Sequence, residues 1–346
     1  MNPKLISISK KTLPYLFPVI VLAAAAIYLL NNLDQFKQIK ISSWWWLAAL
    51  FIGCFSQSVF AALVFKKLLD IFQVRLGYLE ALGLVYVTGM GNYFVPYVGG
   101  MSLRAAYLKK RYGFSLGYFA STVGGAALLS ISINALIGLL VLLYLLATRG
   151  VFNLIIFLVF LFCLILPVIL IFLPARKFNT KNRLLQKIGE VWQGWKYISR
   201  QPADVAALAM LIFLTAAAGV LILYFSFRIV SEPIPFPDAV IISAMTSLSA
   251  LVNLTPSGLG ISELVLVFTS RVLGYMIAVG ISAALVRRVI SSILLFAGGG
   301  ISSWLLSRAI VKNEGKKGAK EKVVKISSVS ASGKSIHLPG GPLSSG

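Results

Sequence analysis

Two stretches decide how this chain folds. The first reads Gly91-Asn92-Tyr93-Phe94-Val95-Pro96-Tyr97-Val98-Gly99-Gly100, with Arg104 just beyond it. The second reads Asn253-Leu254-Thr255-Pro256-Ser257-Gly258-Leu259-Gly260-Ile261-Ser262-Glu263. Each interrupts an apolar run with a Pro/Gly cluster (Pro96, Gly99 and Gly100 in one; Pro256, Gly258 and Gly260 in the other), and each carries or abuts a charge. Backbone at membrane depth must satisfy its own hydrogen bonds, so irregular segments persist only where protein or a wet cavity solvates them. Matching interruptions in two halves of a membrane chain point to a transport site.

Composition sets the class. The chain has 346 residues, of which 58% are hydrophobic and only 12% charged, with a mean hydropathy of +0.89. This predicts an all-α, polytopic integral membrane protein with no room for a separate soluble catalytic domain. Thirty-two Lys and Arg against ten Asp and Glu give a net charge of +22. The basic residues cluster between apolar runs, which is positive-inside patterning, so the expected partners are membrane lipids with anionic head groups and not nucleic acid. Cys54 and Cys163 lie in apolar runs without CxxC spacing and are expected to be packing residues. The single histidine, His337, excludes a His-based metal site or a Ser-His-Asp triad within one chain. No cofactor or metal is expected.

Working outward, full spans are predicted at 14–31, 43–65 (opened by Trp44-Trp45-Trp46), 115–147, 151–173, 203–229 and 279–308. Basic clusters flank the apolar stretch 79–98: Lys66, Lys67 and Arg75 before it, Arg104, Lys109, Lys110 and Arg111 after it. A re-entrant hairpin there keeps both clusters on the inner side. The second interrupted unit, 238–276, enters after the stiff loop Glu232-Pro233-Ile234-Pro235-Phe236-Pro237. Six spans plus two hairpins form an inverted repeat with both termini in the cytoplasm; eight full spans give the same terminal sides. Between 174 and 202 basic residues alternate with Leu184, Ile188, Val191, Trp192, Trp195 and Ile198 at helical spacing, predicting an amphipathic helix on the inner surface. The membrane domain is expected to run over 1–311. A disordered Lys/Ser/Gly-rich cytoplasmic tail is expected over 312–346, its closing Gly340–Gly346 run resembling an appended segment.

Glu263 is the acid at depth: it follows a Gly-rich break and leads into Leu264-Val265-Leu266-Val267-Phe268. An ionised group there costs roughly 3 kcal/mol unless water or a partner meets it. Arg104, Arg271, Arg287 and Arg288 are the basic residues expected to share its depth. Two uses of this set remain open: a structural ion pair pinning the repeats together, or arginines that bind an anionic head group while Glu263 tunes the site. Asn92, Asn253, Thr255 and Ser257 are expected to cap exposed backbone groups in either case.

At these residues the chain resembles the flippase-like family named after the transmembrane region of lysylphosphatidylglycerol synthase. The resemblance rests on Asn92, Pro96, Gly100, Arg104-Ala105 and Tyr107-Leu108, and more specifically on Thr255-Pro256-Ser257-Gly258-Leu259-Gly260-Ile261-Ser262-Glu263. It implies a plasma (inner) membrane protein that moves a lipid, or a polyprenyl-phosphate-linked anion, between leaflets. Two departures stand out. Met101 follows Gly100 where many relatives carry an acid, and no aminoacyl-transferase domain follows the spans. The expected function is therefore translocation of an anionic lipid by a chain that is not an enzyme. The substrate-binding set is Arg104 with Arg287 or Arg288, together with Glu263, Asn92 and Asn253. A non-catalytic scaffold for a separate lipid-modifying enzyme is the alternative, and a homo-oligomer or partner enzyme the possible company. An intramembrane transferase is disfavoured by the single deep carboxylate. No GxxxxGK[ST] loop supplies ATP.

Overall fold

The computed structural model describes residues 43–94, 99–172, 196–230, 232–252 and 255–331. The expected first span at 14–31, most of the 174–202 loop, Pro96 and Asn253 lie outside the described residues. Among those described, every regular element is helical: α1 (Trp44–Ile71), α2 (Tyr78–Phe94), α3 (Gly99–Tyr112), α4 (Leu116–Arg149), α5 (Leu154–Phe172), α6 (Pro202–Ile229), α7 (Phe236–Leu248), α8 (Ile261–Val272) and α9 (Ile277–Ala331), with 3-10 turns at Ser249–Val252 and Pro256–Gly258. Four segments are long and apolar enough to cross a membrane: Trp44–Ile71, Leu116–Arg149, Pro202–Ile229 and Ile277–Arg308. Leu154–Pro167 and Phe236–Leu251 are shorter apolar segments.

The spans begin and end where local chemistry dictates. Ser43 starts α1 by accepting the Trp45 N–H, and Ser115 starts α4 by accepting that of Tyr118, each side chain satisfying an otherwise orphaned donor. Gly150, at φ +66°, closes α4 in the left-handed conformation that glycine adopts freely. Trp44 and Trp45 are more than four-fifths exposed, as an interfacial belt requires. Trp46 turns inward and stacks on Phe225.

The apolar run at 79–98 is not a complete hairpin. Its residues to Phe94 form one leg, and the second leg is α3, which holds Arg104 and ends in Lys109, Lys110 and Arg111. Hydropathy hides such a leg because it is polar along much of its length. α2 and α3 have 17 and 14 residues, or about 25 and 21 Å of helix at 1.5 Å per residue, short of the roughly 30 Å hydrocarbon core. Their crossing is close: a Cβ on Gly91 would lie 2.8 Å from Gly100 Cα. The second hairpin, α7 and α8 joined through the two 3-10 turns, matches the predicted unit within a few residues.

Both hairpins carry, near their open ends, an acid bonded to tyrosine and arginine, the second arginine coming from α4. Glu80, the third residue of α2, accepts hydrogen bonds from Tyr107 (2.5 Å) and Tyr112 (3.0 Å) at the end of α3 and pairs with Arg111 at 3.2 Å. Asp238, the third residue of α7, accepts from Tyr275, just past α8, at 2.6 Å and from Arg149 at 3.0 Å.

α7 is the centre of the bundle although it is one of the shortest helices. Ten of its 13 residues are buried. Ala239, Val240 and Ile242 pack with Val220, Leu223 and Phe227 of α6 and Val279, Ala283 and Ala284 of α9. Ile241, Ala244, Met245 and Leu248 pack with Leu142 and Leu145 of α4 and Ile156 and Phe160 of α5. A helix buried on nearly every side belongs inside a bundle. Cys163 sits in that second cluster, and Cys54 in a third one formed by α1, α2, α6 and α9, so both are packing residues.

Residues from Trp304 onward form a separate unit, in which the Arg308 guanidinium lies 3.7 Å over the Trp304 ring. α9 is helical to Ala331. Lys316, Lys317, Ala319, Lys320, Glu321 and Lys322 are strong helix formers.

Candidate functional site

The two breaks meet at Arg288. At the second break Ser257 (φ +50°), Gly258 (φ +67°) and Gly260 (φ +86°) take positive φ. Two of these are glycines, for which the conformation is free, while Ser257 bears a strain of about 1 kcal/mol. Gly260 opens α8 by donating its N–H to Glu263 Oε2 at 2.8 Å. Lacking a side chain, Gly260 supplies only half of a capping box. Arg288, on α9, sits 3.3 Å from Glu263 Oε1 through Nε and donates from Nη2 to the Ser257 carbonyl at 3.2 Å. Its guanidinium lies 5.5 Å from the ring centre of Tyr93, the residue after Asn92 in the first break. Tyr93 in turn hydrogen-bonds Ser292, one turn along α9, at 2.9 Å.

Asn92 has a different task. Its Oδ1 accepts the Gly100 N–H at 3.0 Å, capping the opposite leg of its own hairpin as the sequence suggested. Gly99 and Gly100 form the first turn of that leg.

The arginine beside the pair behaves otherwise. Arg287 is turned about 100° around α9 from Arg288 and lines a polar cavity of about 190 Å³. Gln57 of α1, Ser243, Thr246 and Ser247 of α7, Ser249, and Ser257 and Ser262 of the second break share the walls. No acidic residue lines this space, and Arg287 makes no hydrogen bond or close ion pair with a described residue.

Polar atoms without partners gather at the same place. Five buried side-chain atoms among the described residues lack a hydrogen bond: Thr255 Oγ1, Ser262 Oγ, Glu263 Oε1, Arg288 Nε and Arg228 Nε. Four of them belong to this break or to the arginine that grips it. The Glu263–Arg288 contact is thus close but poorly aligned, an ion pair and not a good hydrogen bond. Buried polar atoms are normally satisfied, and a cluster of exceptions marks a strained or ligand-binding locus.

Arg104 does not join this group. Its Nε donates to Thr88 Oγ1 at 2.8 Å, and its guanidinium lies 4.2 Å over the Phe65 ring, facing a second, largely apolar cavity. The expected pairing of Arg104 with Arg287 or Arg288 around one head group is therefore not what the helices produce: Arg104 and Arg287 line different cavities, and Arg288 is engaged by Glu263. Arg271 is exposed near the end of α8. Sequence reasoning missed Gln57 and the Ser243–Ser249 wall. The available signal was a lone amide inside an apolar span and four hydroxyls within seven residues.

Residues 16–299 match the family described as the lysylphosphatidylglycerol synthase TM region. The chain belongs to that family. The match takes in both hairpins, the Arg287 cavity and the Glu263–Arg288 pair, and it supports a multi-pass membrane protein with a lipid-related function. A comparison with curated proteins gives no match.

Proposed function

We propose that this chain translocates an anionic lipid, or a polyprenyl-phosphate-linked one, between leaflets, with the head group passing through the Arg287 cavity. The observation that carries the proposal is Arg287 itself, a cation with no salt bridge or hydrogen bond among the described residues, on which Glu263 acts only from beyond ion-pair distance, in a cavity walled largely by hydroxyls and an amide. A charge without a contact partner in a membrane bundle is costly, and a phosphate would supply both a contact counter-charge and acceptors for the unpaired donors around it. The volume, below the range of pockets that enclose whole drug-sized ligands, suits a head group whose alkyl chains stay in the bilayer.

In this proposal the two hairpins are re-entrant and enter from opposite faces as an inverted pair. The protein lies in the plasma (inner) membrane with both termini in the cytoplasm and performs no covalent chemistry. The Glu263–Arg288 pair holds the two breaks against each other at the cavity wall.

The test is a leaflet-exchange assay in liposomes carrying fluorescent anionic and zwitterionic lipids, with wild type, Arg287→Gln and Arg287→Lys. Selective exchange of the anionic lipid is expected, reduced at least tenfold in Arg287→Gln and largely kept in Arg287→Lys. Equal exchange in wild type and Arg287→Gln would remove the cavity from the mechanism. Absence of exchange for every anionic and polyprenyl-phosphate lipid, with and without an ion gradient, would leave a scaffold for a separate enzyme as the better account.

A further inference from the structure

Arg104 faces a cavity of about 320 Å³ between α1, α3, α4 and α6. The space exists because its walls are small: Ala61 on α1, and Val123, Ala126 and Ala127 on α4, stand where larger side chains would fill it. Ala127, at the rim, is exposed. Two of the three lining hydroxyls turn back on their own helices, Thr122 donating to the Phe119 carbonyl at 2.7 Å and Thr215 to that of Leu211 at 2.8 Å, and the third, Ser130, accepts from Asn134 Nδ2 at 3.5 Å, so the space is largely apolar.

Arg104 is the exception. One of its five N–H donors is used on Thr88, and its π face is covered by Phe65. The other four donors make no hydrogen bond with a described residue, and no Asp or Glu lines the cavity. Stacking and one hydrogen bond fix the guanidinium plane, and the unused donor edges are those that bind an oxyanion in a forked geometry.

We propose that this groove is a second lipid site, taking an oxyanion carried on a single alkyl chain, with the anion on Arg104 and the chain along Ala61, Val123 and Ala126. It deepens the translocation proposal by adding a chain-holding site apart from the Arg287 cavity, and it is read out without transport. A failed exchange assay therefore leaves it standing, and the reverse also holds.

The experiment uses the full chain in a neutral maltoside detergent with a diazirine-bearing dodecyl phosphate, crosslinked sites being mapped by peptide mass spectrometry. Labelling is expected at 61–68 and 122–130. Excess dodecyl phosphate or dodecanoate should compete, which compares a phosphate with a carboxylate source of the anion, whereas dodecanol and inorganic phosphate should not. Arg104→Gln should lower labelling at least fivefold, and Arg104→Lys should restore part of it. Ala126→Phe should abolish labelling while elution as a single symmetrical peak shows that it folds; if it does not, Ala61→Leu fills the same groove from α1. Labelling spread evenly over lipid-facing helices, equal labelling of Arg104→Gln, or full competition by dodecanol would overturn the proposal.

Discussion

Gly100→Ala should be among the most damaging single-methyl additions in this protein. A Cβ at Gly100 would overlap the Thr88 carbonyl oxygen and lie 2.6 Å from the carbonyl carbon and 2.7 Å from Asn92 Oδ1. Ordinary contact begins near 3.4 Å, so α3 must withdraw from α2 by well over 1 Å. The obstacle is backbone, which no rotamer change relieves. Overpacking of this kind costs about 1–3 kcal/mol, and withdrawal also stretches the 3.0 Å bond from Gly100 N–H to Asn92, worth about 1 kcal/mol. The total of about 2–4 kcal/mol corresponds to a fall in Tm on the order of 3–6 °C for a protein of this size. Gly124→Ala is the matched control, since a Cβ there meets nothing within 4 Å and alanine favours the helix. Thermal unfolding in detergent, followed by light scattering or intrinsic fluorescence, compares the two. Equal midpoints for wild type and Gly100→Ala would show that the legs do not approach as described.

Other consequences are equally open to measurement. Glu263→Gln and Arg288→Gln should each destabilise by about 2–3 kcal/mol, because each leaves an uncompensated, largely buried partner. The double variant should cost less than their sum, and strict additivity in the thermal midpoints would mean that the 3.3 Å pair is not coupled. Burial, and then its hydrogen bond to Asp238, hold the Tyr275 phenol above the usual tyrosine pKa of 10.0. A raised folded-state pKa contributes stability that is full below pH 10 and is lost as the pH climbs through the higher folded value. Tyr275→Phe should therefore lower stability by about 2 kcal/mol at neutral pH and flatten part of the alkaline loss. A pH profile parallel to that of wild type would refute this. In the exchange assay, Arg287→Gln should lose anionic selectivity, whereas Arg287→Lys should retain it.

The helices were legible where composition is one-dimensional. Pro202 and the Gly150 turn mark the limits of α6 and α4 within a residue or two of expectation, because capping and breaking are local events. The polar leg Gly99–Tyr112 was not legible as half of a hairpin, since its place depends on contacts of Gly91, Asn92 and Thr88 across the turn. That Glu263 would meet an arginine was readable, but which of Arg287 and Arg288 it would pair with was not. Neighbours on a helix point about 100° apart, and sequence does not say which faces the acid and which the cavity. Arg104 was misgrouped for a related reason: closeness to a break along the chain says nothing about which side of α1 the side chain reaches. Ser243 and Thr246 were silent because hydroxyls in membrane helices usually bond their own backbone, as Thr246 does with the Ile242 carbonyl.

The burial of α7 has a consequence for how the protein is made. Synthesis runs from the amino terminus, so α4, α5 and α6 leave the ribosome before α7, while α9 comes after it. Ala239, Val240 and Ile242 depend on Val279, Ala283 and Ala284 for part of their cover. A nascent chain halted before Ile277 would present that flank of α7 without its final neighbour. Assembly is then a matter of timing: the centre of the bundle waits, with one flank open, for its last helix.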